Sequence, residues 1–395
     1  MKFWYVCSEC GRRFEITPNL MLCPHHHQEK DRPLRGVLEV EFDDEVAEKF
    51  KKSLDIFDIL PVDRRFFPPI PVGNTPMWEP VNLRRRLNMP NLFLKDDTAN
   101  PTGSLKDRAS YLVSAFARAH GINDIVVAST GNAGSSMAGV GAAAGQNITL
   151  FIPASAPIAK LVQALQYGAR VIRVNGNYDL AYDLSLEYSR RSGGMSRNTA
   201  YNPMTIEGKK TVAIETYLQL RPKMPDVVFV PVGDGVILSG VYKGFRDLVR
   251  IGLLDRVPMV YAVQASGSNA VCRALRKGDF QPVSASTVAD SISVDVPRNG
   301  YHAVQNLKRH NGKCVEVSDE EILEAQKLLS SSTGLFAEPA ASASLAGLLK
   351  VRDEIDRDAV VVLLITGNGL KDVHAASRLI SLPERTITSI EELEH

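Results

Sequence analysis

Short apolar runs rich in β-branched residues recur along the chain, separated by longer stretches with helical spacing. Leu92-Phe93-Leu94 reads as a strand end, and Ile125 to Ala128, Ile148 to Ile152 and Val171 to Val174 read as buried strands. Val227 to Val232, Met259 to Gln264 and Val360 to Ile365 repeat the theme in the second half. Between them the spacing predicts helices over 109–119, from Gly131 onward, and over 157–167, 178–192, 208–220 and 238–248. Strands of this length alternating with helices of ten to fifteen residues predict parallel βαβ units and an open α/β sheet. Ahead of them, Val46, Phe50, Leu54, Phe57 and Leu60 predict one amphipathic helix or two short ones over 43–61. The Pro-rich stretch Phe67 to Pro76 cannot be regular structure and is expected to be an ordered connection. No internal repeat or low-complexity segment appears.

Composition narrows the class. With 395 residues, 44% apolar and 23% charged, the chain has core enough for two domains. A net charge of +1 gives no electrostatic reason to expect nucleic acid or an anionic membrane as partner. No apolar run approaches the ~18 residues of a membrane span. The opening Met1 to Val6 runs into Cys7 too soon for a signal-peptide core, so a cytoplasmic protein is expected.

Three of the five cysteines fall within the first 23 residues, a clustering that suggests metal rather than disulfides. Cys7-Ser8-Glu9-Cys10-Gly11 is a Cys-x-x-Cys knuckle, and Cys23-Pro24-His25-His26 supplies Cys-x-x-His twelve residues later. Two such turns present the four soft or borderline donors that tetrahedral zinc needs. The expected ligands are Cys7, Cys10, Cys23 and His26, with His25 competing for the fourth place. A ribbon that folds without metal is the alternative. Residues 1–42 are expected to form this unit.

The stretch with the most chemistry is Asn100-Pro101-Thr102-Gly103-Ser104-Leu105-Lys106-Asp107-Arg108. Pro101 and Gly103 make a tight loop, and Lys106 lands at a helix start, where the helix dipole disfavours its charge. If also partly buried, such a lysine has a lowered pKa and becomes a nucleophile able to form a Schiff base. In isolation the same residues read as an exposed lysine in a first helical turn. Two further strand-to-helix turns complete the pattern. Ser129-Thr130-Gly131-Asn132 can offer backbone N–H groups to a carboxylate, although alone it reads as a helix cap. Gly233-Asp234-Gly235-Val236-Ile237 can converge N–H groups on a phosphate.

Asn100 to Arg108 resembles the cofactor-lysine motif of pyridoxal-phosphate enzymes of the tryptophan synthase β-subunit fold type, and most closely that of threonine synthases. Leu105 and Ala109 stand where those relatives usually have Phe and Gly. Ser129 to Ser135, Pro231 to Ile237, Glu338 to Ala343 and Thr366-Gly367-Asn368-Gly369-Leu370-Lys371-Asp372 match further family stretches in order. The resemblance spans about residues 70 to 372. It implies two open, twisted, mostly parallel sheets flanked by helices, with a small N-terminal unit similar to the zinc ribbon of many relatives. The expected division is a ribbon at 1–42, a large cofactor domain from 43–108 and 206–395, and a small α/β domain at 109–205. In the ribbon of relatives the second knuckle is Cys-x-x-Cys, which this chain replaces with Cys-x-x-His.

The resemblance also implies roles. Lys106 would carry the cofactor and move protons. Asn132 would contact the cofactor's 3-hydroxyl group, and Gly233, Asp234, Gly235, Val236 and Ile237 would cradle its phosphate. Asp234 replaces a neutral amide there, so its carboxylate is expected to turn away and cap backbone groups. Thr366 would face the pyridine nitrogen. Ser104, Ser129, Thr130, Gly131 and Asn132 would bind the amino-acid substrate. Family habit implies a homodimer. Threonine synthases bind the phosphate of O-phosphohomoserine with basic residues, and an arginine is expected shortly after Asn202-Pro203, where this chain has Met204-Thr205. Lys160, Lys209 or Arg298 would then supply the charge. The expected activity is conversion of O-phospho-L-homoserine and water to L-threonine and phosphate. β-Elimination or β-replacement on threonine, serine or a relative is the nearest rival, and a cofactor-binding regulatory protein without turnover is the rival of another class.

Overall fold

A computed structural model describes residues 2–158, 161–281, 283–380 and 383–393. Its strands form three sheets. The first is antiparallel, with Phe3–Cys7 in the centre between Arg13–Phe14 and Leu38–Phe42. The second has six strands in the order Lys313–Val317, Met259–Ala265, Val227–Pro231, Val361–Ile365, Leu92–Asp96 and Met77–Trp78. Only the short edge strand Met77–Trp78 runs antiparallel to its neighbour. The third sheet, wholly parallel, orders Arg170–Val174, Asn147–Pro153, Asp124–Ala128 and Met195–Ser196.

The central strands read as unbroken apolar runs because both faces are covered. Val361–Ile365 and Val227–Pro231 are buried at every position, with helices packed on either side. One side carries Met204–Leu220 and Val236–Arg250, the other Pro339–Val351. The two long helices approach closely because glycines remove side chains at the contact. A Cβ on Gly244 would stand 2.4 Å from the carbonyl oxygen of Lys210, and one on Gly240 would stand 2.7 Å from the Lys209 side chain.

Element boundaries depart from the sequence expectation in instructive places. The helix after the lysine loop begins at Lys106 itself, and the one after the glycine turn begins at Val236 rather than Leu238. The region 43–61 is a helix, Asp44–Ser53, followed by a 3₁₀ turn, Ile56–Ile59; Leu54 takes a left-handed conformation between them. The helix expected over 157–167 is confined to Val162–Gln166, and residues 159–160 lie outside the described residues. The strand Lys313–Val317 and the helices Gly300–Arg309, Asp319–Thr333 and Pro339–Val351 were not anticipated. The two cysteines beyond the N-terminal cluster, Cys272 and Cys314, are joined as a disulfide with Cα atoms 5.5 Å apart, again unanticipated. No described helix is long and apolar enough to cross a membrane.

A buried ion cluster ties the lysine helix to the rest. Arg108 donates to Asp97 at 2.6 and 2.8 Å and to Glu215 through two bonds of 2.7 Å, while Lys95 donates to Glu215 at 2.8 Å. All four are buried. The Pro-rich connection joins the same cluster, since Asn74 N–H donates to Glu215 at 2.7 Å and the Thr75 hydroxyl donates to Asp97 at 2.7 Å. The Arg108 and Lys95 charges hold the Glu215 carboxyl down at about 2 against the upward pull of its burial.

Glu215→Gln would leave two buried cations sharing one carboxylate, which typically costs ~3–5 kcal/mol. A fall of that order in unfolding free energy is expected by denaturant titration. The sign with pH follows from the depressed value: the ionised Glu215 stabilises fully above its ordinary value of 4.5, and that contribution is lost as pH falls toward 2. The variant should therefore show a shallower acid destabilisation than the wild type. An unchanged acid limb would show that the cluster is not the source.

Candidate active site

The loop before Lys106 is held by side chains from its own turn. Thr102 donates its backbone N–H to Asp107 at 2.8 Å and its hydroxyl to the other carboxylate oxygen. Gly103 adopts φ +83°, a left-handed turn that favours glycine. From here the loop is joined by backbone to two neighbours. Leu105 N–H donates to Thr366 O at 2.9 Å, Asn368 N–H to Gly103 O at 2.9 Å, and Glu338 N–H to Gly367 O at 2.9 Å. Three segments distant in sequence thus form a small bonded lattice beside the carboxyl ends of the parallel strands.

Lys106 is partly buried on this lattice. Desolvation is the main force lowering its pKa, and the nearby charges of Arg197 and Lys371 act in the same direction. Glu338 and Asp234 oppose them. A lysine so placed holds more neutral amine near pH 7 than a free one. Lys106 shares a narrow cavity of about 50 Å³ with Gly233, Asp234, Gly235, Val236, Ile237, Lys209 and Thr366.

The glycine turn opens directly into Val236–Arg250, and no side chain caps the helix. Its amide groups and dipole face the cavity, as an anion requires. Gly235 sits at φ +89°, and a Cβ on Gly233 would stand 2.8 Å from the backbone of Ile292. Asp234 accepts the backbone N–H of Arg298, so its carboxylate caps the neighbouring loop. Burial pushes its pKa up to about 6, against the pull of that hydrogen bond and of Lys209, Arg298 and Lys106. These features fit pyridoxal phosphate: a lysine amine, an uncapped helix start for the phosphate, and a threonine on the facing strand end.

Asn132, Thr130 and Gly131 line a larger adjoining cleft of about 610 Å³. Asn132 begins the helix Asn132–Ala144, which also has no side-chain cap. Its amide donates to Ser291 at 3.1 Å and to both Glu338 oxygens at 2.9 and 3.1 Å. Ser129 is partly buried and accepts Gly131 N–H at 3.2 Å, while Ser104 is buried beneath Lys106 and accepts its backbone N–H at 3.4 Å. Lys160 lies outside the described residues. Arg298 is paired with Asp179, so its charge is already committed.

Four residues without an assigned role in the sequence reading stand in the site. Glu338 is buried at 4% exposure between Lys106 and Asn132, and burial raises its pKa. Gly367 makes room for it, since a Cβ there would stand 2.4 Å from a Glu338 oxygen. Lys371 reaches Gln163 at 2.7 Å and Thr102 O at 2.9 Å on the wall of the larger cleft. Ser291 lines both cavities. Glu338 and Lys371 fall within stretches the resemblance singled out, but Ser291 has no local signal. The fourth, Arg197, adjoins Lys106 through its backbone oxygen and likewise carries no local signal.

At the N-terminus the structure brings Cys7, Cys10, Cys23 and His26 together, with their donor atoms all within 4.8 Å of one another. Cys10 and Cys23 sulfurs are 3.8 Å apart, and Cys7 Sγ is 3.4 Å from His26 Nε2. Tetrahedral ligands at zinc bond lengths stand ~3.5–3.8 Å apart, so the donor set fits the metal. His25 is exposed and stacks on Phe14 instead. Gly36 closes the cluster, because a Cβ there would lie 2.9 Å from both Cys23 and His26 side chains.

Comparison with known proteins agrees with this geometry. Residues 70–367 match the family described as pyridoxal-phosphate dependent enzyme. Threonine synthase of Methanocaldococcus jannaschii is 35% identical, covering 95% of each chain. That of Halalkalibacterium halodurans is 37% identical over 82% of this chain and 90% of its own. Threonine deaminase isoform 2 of Solanum lycopersicum superposes with a TM-score of 0.69 at 22% identity, covering 86% of this chain and 89% of its own. The chain belongs to the pyridoxal-phosphate-dependent enzymes of fold type II, as a lyase of the threonine synthase-like group.

Asp234 would give a pH signature to the binding of a phosphate in the glycine turn. Burial raises its pKa to about 6, so above that value its carboxylate would repel a phosphate held in the adjoining turn, and below it the neutral carboxyl would not. Asp234→Asn removes the charge but keeps an acceptor for Arg298 N–H. The affinity of the variant apoenzyme for pyridoxal phosphate should match the wild type at pH 5 and exceed it roughly three- to tenfold at pH 7.5. Absorbance titration measures this, and equal affinities at both pH values would rule out the repulsion.

Proposed function

We propose that the chain converts O-phospho-L-homoserine and water to L-threonine and phosphate. The observation that carries this reading is Lys106, half-buried among the glycine turn 233–237, Thr366 and the uncapped helix start at Asn132. Relatives 35–37% identical and named threonine synthase support it.

Bound at this site, pyridoxal phosphate supplies an electron sink for carbanions adjacent to its point of attachment. The chain's own groups do the rest. The helix start at Val236 and the glycine turn hold the phosphate, and the Thr366 hydroxyl offers a neutral partner to the ring nitrogen. Residues 129–132 bind the substrate carboxylate through backbone N–H groups. The Lys106 amine removes protons from Cα and Cβ of the substrate, phosphate leaves from Cγ, and water adds at Cβ. Proton return to Cα and Cγ then completes L-threonine. Its lowered pKa favours the neutral amine that the first abstraction needs.

The same reading divides the chain into a ribbon at 1–42, a cofactor domain from 43–108 and 206–395, and a small domain at 109–205. It is supported by the four-stranded sheet falling wholly within the last of these. It takes the protein to be a cytoplasmic homodimer whose ribbon holds one structural zinc through Cys7, Cys10, Cys23 and His26.

One observation favours a second reading. Thr205 occupies the place expected for a phosphate-binding arginine, and its hydroxyl is turned to Asn202 O at 2.7 Å. Without a replacement cation the site would suit β-elimination on threonine or serine.

Borohydride reduction of the holoenzyme should fix the cofactor to the peptide containing Lys106, and Lys106→Ala should lose turnover by several orders of magnitude. Incubation with O-phosphohomoserine should release phosphate and threonine in equal amounts. Keto acid and ammonia from threonine, with no phosphate release, would establish the second reading instead.

Metal analysis of untagged protein should find one zinc per chain. Cys10→Ser should release it and unfold the ribbon, since structural zinc contributes ~10 kcal/mol or more to such units. Less than half an equivalent in untreated protein would identify a ribbon that folds without metal.

A further inference from the structure

Most buried cations here have a carboxylate. Lys95, Arg108, Lys210 and Lys243 each hold one at 2.5 to 2.9 Å. Arg197 and Lys209 are the exceptions beside the active site, with no ion pair among the described residues. Arg197 is 0% exposed and Lys209 1%. Arg197 spends its guanidinium on neutral acceptors: the Ser110 hydroxyl at 3.2 Å, Lys106 O at 3.4 Å and the Thr199 hydroxyl at 3.4 Å. Lys209 Nζ reaches the same Thr199 hydroxyl at 3.5 Å. Two buried positive groups therefore converge on one neutral oxygen, at distances long for charge-assisted bonds.

Such an arrangement is expensive unless an anion completes it. The energetic strain is visible in Lys209, whose pKa is pushed well down by burial and by the charges of Arg197 and Lys106. Asp234 opposes them, and its carboxylate is already engaged with Arg298 N–H. Lys209 and Thr199 line the narrow cavity with Lys106. The opposite wall of that cavity is the glycine turn, which offers its own helix start to the cofactor's phosphate. Arg197 and Lys209 are left over as two basic groups without a carboxylate, and a phosphate dianion is a ligand that would hold both in their charged forms.

We propose that Arg197 and Lys209, bridged by Thr199, form a subsite for the phosphate carried by the substrate amino acid. The subsite replaces the arginine absent at Thr205, and it rests on the reading that the substrate is phosphorylated. Lys209 follows the helix start of Met204–Leu220 by about one turn, and Arg197 comes from the strand end below it. The charge has thus moved from one place in the loop-to-helix junction to two others beside Lys106: Arg197 bonds its backbone oxygen, and Lys209 lines the same cavity.

The test uses holoenzyme and inorganic phosphate, followed by calorimetry and by the cofactor's absorbance. Wild type should bind phosphate, and Lys209→Gln should weaken that binding roughly ten- to hundredfold, the usual loss for one charge-assisted contact. Lys209→Arg, which keeps the charge, should recover most of it. Retitration of the apoenzyme should give pyridoxal phosphate affinities within threefold of wild type for both variants. Phosphate affinity unchanged in Lys209→Gln would overturn the proposal. So would a tenfold loss of cofactor affinity, which would assign the pair to the cofactor's own phosphate. If Lys209→Gln does not fold, Arg197→Gln read in the same titrations decides the matter. The two readings fail separately: absence of phosphate release from O-phosphohomoserine with Lys209-dependent phosphate binding removes the substrate assignment and keeps the anion subsite. Phosphate release with an unaltered kcat/KM in Lys209→Gln does the reverse.

Discussion

The buried cluster of Arg108, Asp97, Glu215 and Lys95 is the constraint on which the active site depends. Four charges far from water survive only with complete pairing, so the positions of their backbones are fixed within tenths of an ångström. Arg108 is two residues beyond Lys106 on the same helix, Asp97 closes the strand Leu92–Asp96, and Glu215 belongs to Met204–Leu220. Pairing them sets the rotation of the lysine helix about its axis. It thereby sets where the Lys106 amine points. The motif's Lys-Asp-Arg is accordingly one device: the lysine presents its amine to the cavity, the aspartate locks the preceding turn, and the arginine anchors the helix.

Close helix packing carries that constraint onward. Gly208 lies against the backbone of Arg108, and Gly240 and Gly244 lie against Lys209 and Lys210. Three helices are thereby brought nearer than any side chain would permit, and the cations of one reach the carboxylates of the next. Lys210 meets Asp247 across this contact at 2.9 Å. Its neighbour Lys209, one position along the helix, has no ion pair among the described residues and lines the same cavity as Lys106.

Much of this was legible in the sequence. The buried parallel strands announce themselves as apolar runs, and the catalytic loop, the glycine turn and the cysteine knuckles lie in short contiguous motifs. What escaped is assembled across distance. Arg197 precedes Asn198 with no local pattern to mark it, and its significance comes from having no ion pair among the described residues. Glu338 opens a helix as an ordinary acidic residue would, yet its oxygens meet Asn132 from the other sheet's edge. The pairing of Cys272 with Cys314 across 42 residues is of the same kind. Helix 157–167 failed because its apolar spacing is mostly exposed: Ile158, Val162 and Leu165 are 72%, 55% and 48% accessible, so packing does not enforce the periodicity.

The backbone lattice joining residues 103–105, 337–338 and 366–368 has a consequence for how molecules reach the amine. Amide groups bonded to one another across three segments exchange with solvent only when several bonds break together, so this side of the pocket is a fixed wall. The facing side, from Thr130 to Ser135 and from Val162 to Tyr167, is tied to that wall through side chains, among them Asn132 to Glu338 and Gln163 to Thr102 O. Side-chain bonds of this kind can be traded one at a time for bonds to an arriving carboxylate. The doorway is therefore asymmetric: the small sheet's loops are held by side-chain amides that can be exchanged singly, while the jamb that carries Lys106 is held by backbone bonds that must break together.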